Sequence, residues 1–417
     1  MPPPDAPADA SGSSSDDEDA YVPYARRPEW ADVTPLEQPE PARPIVAIDY
    51  RPEYVDAHDT FRAVRASGEV SRRALDLTAE CLKMNGANYT VWHERWALVE
   101  ALAAAEAREG TREDGEDGVE TDRSDPKKKR FSLELAYATK MALANPKNYQ
   151  VWNHMRLVSQ ALGATCVAQN LDATARALAL DAKNIHAWTH RGWIAKTFGK
   201  KNLAYEKTFA AAAIDADPRN NSAWNQRFAV TFVFPFEDED EDHREEKVDT
   251  DETARAKTDE KAVLFAELAF AEAKIALAPD NESAWNYLRG VARLPAARAD
   301  GAVRARTEEI ARRFCPVAAR EVAADASRAS SSEAHESGDG PPSLNTRAAT
   351  SAAGPRNALS ETNDFGDSRH AISLLADSML RSGAREAAAA LYSRLVGRDP
   401  IRANYWTLMI RRCGEVA

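Results

Sequence analysis

Two short strings put a cation and polar groups where a helix is expected to begin. Lys147-Asn148-Tyr149-Gln150 and Lys183-Asn184-Ile185-His186 each set a lysine before an asparagine of the helix-capping type. Free N–H groups and the positive end of the helix dipole favour anions at such a terminus. The strings therefore fit two readings: an anion-receptive strip along one rim, or ordinary capping and packing. His186 and His190 stand four residues apart, a zinc-pair spacing, but no glutamate follows His186 and no third ligand is evident. Packing or a partner contact is the expected role. Gly199-Lys200 lacks the spacing of a phosphate loop, and no G-x-S-x-G or Cys/His nucleophile arrangement occurs. Taken alone, the chain shows no self-sufficient catalytic constellation.

The elements that must position these residues come from an internal repeat. Five segments read Asn-x-x-x-Trp: Asn88 to Trp92, Asn148 to Trp152, Asn184 to Trp188, Asn220 to Trp224, and Asn281 to Trp285. Successive tryptophans lie 60, 36, 36 and 61 residues apart, so the unit is 36 residues with two insertions. Arg95, Arg191 and Arg227 follow three residues after their tryptophans, whereas Met155 and Leu288 hold that place in the other two, with Arg156 and Arg289 one step later. Pro146, Pro218 and Pro279 stand two residues before the asparagine, with Gly86 and Ala182 in the remaining units. A breaker followed by Asn is a helix stop and then an N-cap, which places Trp at the fourth helical position, facing inward. Ala/Leu-rich amphipathic stretches such as Ala173–Leu180 and Phe265–Leu277 lie upstream. Each unit is thus expected to be two antiparallel helices, and the whole an all-α fold, a right-handed α-α superhelix of stacked hairpins.

Length and charge bound the rest. The chain has 417 residues, 44% hydrophobic and 29% charged, enough apolar content for a sizeable core. Its net charge of −12 sits mainly in two stretches, −6 in residues 1–20 and −9 in residues 237–252, which leaves the remainder at +3. General nucleic-acid binding is therefore not favoured. No apolar run reaches 18 residues, so no membrane span is expected, and the acidic start lacks the features of a secretory signal. Cys81, Cys166, Cys315 and Cys413 are scattered without a CxxC pair, which predicts free thiols.

The domain reading is a disordered acidic tail at 1–20, repeats over 21–315 with insertions at about 108–130 and 235–259, a low-complexity linker at 316–368, and C-terminal helices over 369–417. The insertions are expected to be mobile loops. Lys127–Arg130, inside the first, reads either as a solvated loop or as a nuclear-import patch; Glu237–Asp242 reads as a solubilising run.

The repeat strings carry a family resemblance. Ala87-Asn-Tyr-Thr-Val-Trp-His93, Pro146-Lys-Asn-Tyr-Gln-Val-Trp152, Arg219-Asn-Asn-Ser-Ala-Trp-Asn-Gln-Arg227 and Asn281-Glu-Ser-Ala-Trp-Asn-Tyr-Leu288 resemble the prenyltransferase alpha-subunit repeat family, in the form shared by protein farnesyltransferase and geranylgeranyltransferase type I. Glu29–Asp32 and Phe61–Val64 are similar to the family's N-terminal region, and Ile401–Trp406 to its C-terminal end. The resemblance implies a crescent of helical hairpins around a beta subunit that holds the catalytic zinc and the isoprenoid pocket. It implies transfer of farnesyl or geranylgeranyl from the diphosphate to a cysteine of CaaX-terminated proteins, with magnesium for farnesyl transfer, in a cytoplasmic setting. By the same resemblance Lys147 approaches the diphosphate, Tyr149 lies at the active-site rim, Gln150 binds the CaaX carboxylate, and His186 sits near the mouth; this chain binds no metal itself. Ile185 stands where the family has a tyrosine near the diphosphate, and Asn153 and Met155 replace a histidine and an arginine. Two other readings compete: the alpha subunit of Rab geranylgeranyltransferase, and a non-catalytic helical-repeat scaffold, against which the absent 34-residue period counts.

Overall fold

Asparagine before each repeat tryptophan starts a helix, and the preceding turn stops one. In the computed structural model, which describes residues 21–113 apart from positions 40, 41, 44 and 47, together with 125–236, 250–320, 323 and 366–415, the described residues contain helices and no strand. The chain divides into two compact units, residues 1–199 and 200–417.

The first unit contains α1 (Pro52–Ser67), α2 (Arg72–Met84), α3 (Tyr89–Glu113), α4 (Pro126–Ala144), α5 (Tyr149–Leu162), α6 (Val167–Leu180) and α7 (Ile185–Thr197). Its hairpins are α2/α3, α4/α5 and α6/α7, and they stack through α3 on α5, α4 on α6 and α5 on α7. The second unit contains α8 (Leu203–Ala216), α9 (Asn221–Phe232), α10 (Thr250–Leu277), α11 (Glu282–Arg293), α12 (Pro295–Ala299), α13 (Gly301–Arg313), α14 (Arg369–Arg381), α15 (Arg385–Arg398) and α16 (Ala403–Gly414). Its repeat hairpins are α8/α9 and α10/α11, followed by α13, α14, α15 and α16 packed in sequence. The all-α helical-repeat class is what the chain adopts.

The repeat residues hold each hairpin closed and tie it to the one before. Trp92, Trp152, Trp188, Trp224 and Trp285 are all buried, and each indole N–H donates to the carbonyl six residues upstream, at 2.7–2.9 Å. Each repeat asparagine is buried or half-buried with Oδ1 on the first-turn N–H groups of its helix. The amide end of the same side chain reaches back one hairpin. Asn148 donates to Gly86 O, Asn184 to Pro146 O at 2.9 Å, and Asn281 to Pro218 O at 2.6 Å. Pro146 O thus accepts both from its own tryptophan and from the next asparagine. Ser368 repeats the move at the start of α14, donating through Oγ to Pro279 O at 2.9 Å.

A second ladder is polar and buried. Two residues after the tryptophan, His154, His190, Gln226 and Tyr287 bond Glu134, Asn170, Glu206 and Glu267 on the partner helix of their own hairpin, at 2.7, 2.7, 3.2 and 2.6 Å. Arg95 forks onto Glu134 of the next hairpin at 2.7 and 2.8 Å, and Arg227 onto Glu267 at 2.7 and 2.9 Å. The buried carboxylates of Glu134 and Glu267 are each paired with an arginine, the condition under which such burial is tolerated. Met155 takes the arginine's place in the second repeat as fully buried apolar packing, and Arg156 one step later is exposed and lies over the Trp193 ring at 4.8 Å.

Three boundaries differ from expectation. The 108–130 stretch is helical at both ends, because α3 runs on to Glu113 and α4 opens at Pro126 under an Asp125 cap. Lys127–Arg130 therefore sits in the first turns of α4, with Arg130 paired to Glu106 across the hairpin. In the 235–259 stretch, α10 begins at Thr250. At the margins of the 316–368 stretch, residues 316–320 are helical, and buried Asp367 accepts from the Val317 and Ala318 N–H groups at 3.0 and 3.2 Å. The expectations for the tail at 1–20, for residues 114–124, for Glu237–Asp242 and for residues 324–365 lie outside the described residues. All four cysteines are buried free thiols; burial pushes Cys81 and Cys315 up to about 12.

Candidate functional site

The capping asparagines bring the N-termini of α3, α5 and α7 to one rim of the first unit. Each cap buries the asparagine and projects the next residue outward. Tyr89, Tyr149 and Ile185, the first residues of these helices, are 70, 63 and 68% exposed. Half-buried Gln150 and His186 follow at the second positions of α5 and α7. The Gln150 side-chain amide bonds no described residue, and its backbone N–H is taken by Asn148 Oδ1 at 3.0 Å.

Lys147 lies in the turn before α5, its side chain 80% exposed and its ammonium 3.9 Å from Asp181 Oδ2. Asp181 occupies the corresponding turn before α7, where its other oxygen accepts from Lys183 N–H at 3.1 Å. An exposed pair at that distance contributes little to stability, so the ammonium is free to turn toward a stronger anion. Lys147, Tyr149 and Gln150 thus share one helix start, and the Asn184–Pro146 hydrogen bond holds His186 at the neighbouring one. The structure brings the four sequence-derived site residues onto one solvent-facing edge. Asp181 and Tyr89 join them. Asp181 was legible as the acid three residues before Asn184, and Tyr89 as the counterpart of Tyr149.

His186 and His190 do not form a metal pair. His190 is buried, its Nε2–H donating to Asn170 Oδ1 at 2.7 Å, with its ring between Trp152 and Trp193. Burial and then the Arg156 charge lower its pKa to about 4. Among the described residues, no group of three or more His, Cys, Asp or Glu could hold a metal ion. Among them, too, no helix is long and apolar enough to cross a membrane.

The hairpins match a known repeat. The protein prenyltransferase alpha subunit repeat fits residues 71–102, 131–162, 167–198, 203–232 and 264–294, which are the five hairpins that carry the Asn-x-x-x-Trp strings. The chain carries five copies of the repeat of the prenyltransferase alpha-subunit family. Members similar to this repeat protein include a Pisum sativum protein farnesyltransferase/geranylgeranyltransferase type-1 subunit alpha, 48% identical over 92 residues that cover 22% of this chain and 28% of the pea protein. The Dictyostelium discoideum subunit of the same name is 42% identical over 97 residues, covering 23% of this chain and 30% of that one. The matched stretches thus span less than a third of these relatives. The solved structure of Candida albicans protein geranylgeranyltransferase-I complexed with GGPP is 22% identical, with a TM-score of 0.61, covering 95% of this repeat protein and 100% of the matched chain. That likeness establishes the fold.

Proposed function

We propose that this repeat protein is the alpha subunit of a heterodimeric CaaX protein prenyltransferase, moving farnesyl or geranylgeranyl from its diphosphate to a cysteine thiol near the C-terminus of target proteins. The observation that carries the reading is the rim: Lys147, Tyr149, Gln150 and His186 gathered on one exposed edge of hairpins that belong to this family. The names of the pea and Dictyostelium relatives support it.

In this reading the beta subunit would hold zinc, which would favour the thiolate form of the substrate's cysteine, and magnesium would assist farnesyl transfer. This chain's own residues contribute charge and orientation. Charge builds on the diphosphate oxygens as the isoprenoid carbon–oxygen bond breaks, and the Lys147 ammonium stabilises that state more than the ground state. The Gln150 amide N–H donates to the terminal carboxylate of the CaaX substrate. Tyr149 and His186 flank the mouth and shape the approach of the peptide. The reading places the complex in the cytoplasm.

Co-expression with a candidate zinc-bearing beta chain tests this. The expected result is a stoichiometric complex that prenylates a CaaX peptide, while the chain alone neither transfers prenyl groups nor binds stoichiometric zinc. A chain that forms no complex with such a subunit, or is active without it, overturns the reading.

A further inference from the structure

The unit of residues 200–417 holds a cleft of about 580 Å³ walled by α11, α12, α13 and α14. Five arginines line it: Arg289, Arg293, Arg298, Arg304 and Arg381. Only two acids accompany them, which leaves a surplus of three positive charges. Both acids are already engaged. Asp377 accepts from the Tyr392 hydroxyl at 2.7 Å; Glu308 accepts from Ser378 Oγ at 2.5 Å and lies 3.7 Å from Arg312. Among the described residues, no carboxylate stands within ion-pair distance of Arg293, Arg298, Arg304 or Arg381, all four of which are exposed at the cleft.

Arg289 is the most buried of the five, and it is incompletely satisfied. Its Nη2 donates to the His370 carbonyl at 3.0 Å, but its buried Nε has no hydrogen-bond partner among the described residues. Burial lowers its pKa, since taking the guanidinium out of water penalises the charged form. A desolvated guanidinium with one N–H left unsatisfied is costly, and a negative charge in the cleft would offset part of that cost. A second cleft, of about 340 Å³, shares Arg289 and Arg293 and adds Arg369 and Arg402; Arg402 is paired there with Asp399 and Glu282. Glu282 and Asp399 of that second cleft balance its two added arginines, so the surplus of positive charge belongs to the first cleft.

We propose that this arginine cleft binds a small, multiply charged phosphate anion, either inorganic diphosphate or the phosphate of a phosphorylated small molecule. Guanidinium forks match tetrahedral oxyanions with paired N–H donors, and a trianion such as diphosphate balances the charge surplus. Thr307 and Ser382 add hydroxyls to the wall, while Val303 and Leu374 give it an apolar side. The inference rests on side chains of this unit and is independent of prenyl transfer.

Isothermal titration calorimetry on the full chain at constant ionic strength tests it, with sodium diphosphate, sodium phosphate and glucose 6-phosphate as probes. At least one should give saturable one-site binding: diphosphate alone points to the inorganic ligand, and phosphate or glucose 6-phosphate points to a single phosphate group. Arg293→Ala should weaken binding roughly tenfold, and Arg293→Ala with Arg381→Ala considerably further. Both residues are exposed, so circular dichroism and melting should match wild type. Lys147→Ala should leave the affinity unchanged. No saturable heat with any probe overturns the proposal, as does binding that survives the double arginine variant or disappears in Lys147→Ala.

Discussion

Asn184 does two jobs with one side chain. Its Oδ1 accepts from the Ala187 N–H at 3.1 Å and caps α7, while its Nδ2 donates to the Pro146 carbonyl of the preceding hairpin at 2.9 Å. Capping needs only the acceptor; the tie between hairpins needs the amide. An asparagine at this position is therefore worth more than a cap.

Two substitutions separate these jobs. Asn184→Asp keeps a good cap acceptor but loses the donor and turns a carboxylate toward the Pro146 carbonyl. Asn184→Ala loses both. If only the cap mattered, Asp would be nearly neutral, since the two residues cap equally well. We expect both variants to destabilise the protein by about 1–3 kcal/mol. Thermal melting of the three proteins decides, and an aspartate variant as stable as wild type would remove the inter-hairpin role.

Trp188 sits 6% exposed in the same hairpin, with its indole N–H on the Ala182 carbonyl at 2.9 Å. Trp188→Ala removes a large core side chain and takes away that carbonyl's indole donor. The expected loss is about 3–5 kcal/mol, visible as a clearly lower melting temperature. An unchanged melting curve would mean that the tryptophan is not core.

The buried polar ladder makes stability fall with pH in two windows. Burial and nearby arginines lower His190 and His370 to about 4, against 6.5 when exposed. Below pH 6.5 the unfolded chain takes up protons that these folded imidazoles refuse. Stability therefore drops between pH 6.5 and 4, by about 3 kcal/mol per histidine at most. Glu134 adds a second drop. Burial alone would raise its pKa, but the His154 hydrogen bond and the Arg95 charge outweigh burial and hold it below the usual value of 4.5. Its contribution is complete above that pH and fades as the pH falls through its lowered value. Urea unfolding at pH 7, 5.5 and 4 measures the first window. His190→Gln should flatten that part of the slope, and a slope identical to wild type would mean that His190 does not take part.

Within the proposed heterodimer, Lys147 and Gln150 should fail differently. Lys147→Ala should cut the single-turnover rate by roughly 10- to 1000-fold, about 1.4–4 kcal/mol, with much less change in isoprenoid affinity. Gln150→Ala should raise the KM for the CaaX peptide and spare the chemical step. A Lys147→Ala complex with its full chemical rate would show the lysine to be a solvated helix flank.

The repeat, its period, the helix starts at Asn and the inward tryptophans were all legible from the sequence, because capping and helical periodicity are local and each recurs five times. The rim strings Lys147–Gln150 and Lys183–His186 were legible for the same reason, and the family resemblance supplied their roles. What joins one hairpin to the next was not. The amide of Asn184 looks like part of a cap until Pro146, 38 residues upstream, is folded against it. Lys147 gains Asp181, and Arg95 gains Glu134, only when separate hairpins stack. Charge runs misled at the insertions, because Asp125 caps a helix whose first turns include Lys127–Arg130, and Glu106 on α3 pairs with its arginine. The arginine cleft draws on α11, α12, α13 and α14, whose arginines lie up to 92 residues apart, from Arg289 to Arg381. Local backbone preference is written in neighbouring residues; charge neutralisation and burial depend on which distant side chains share a space, and that is settled only by packing.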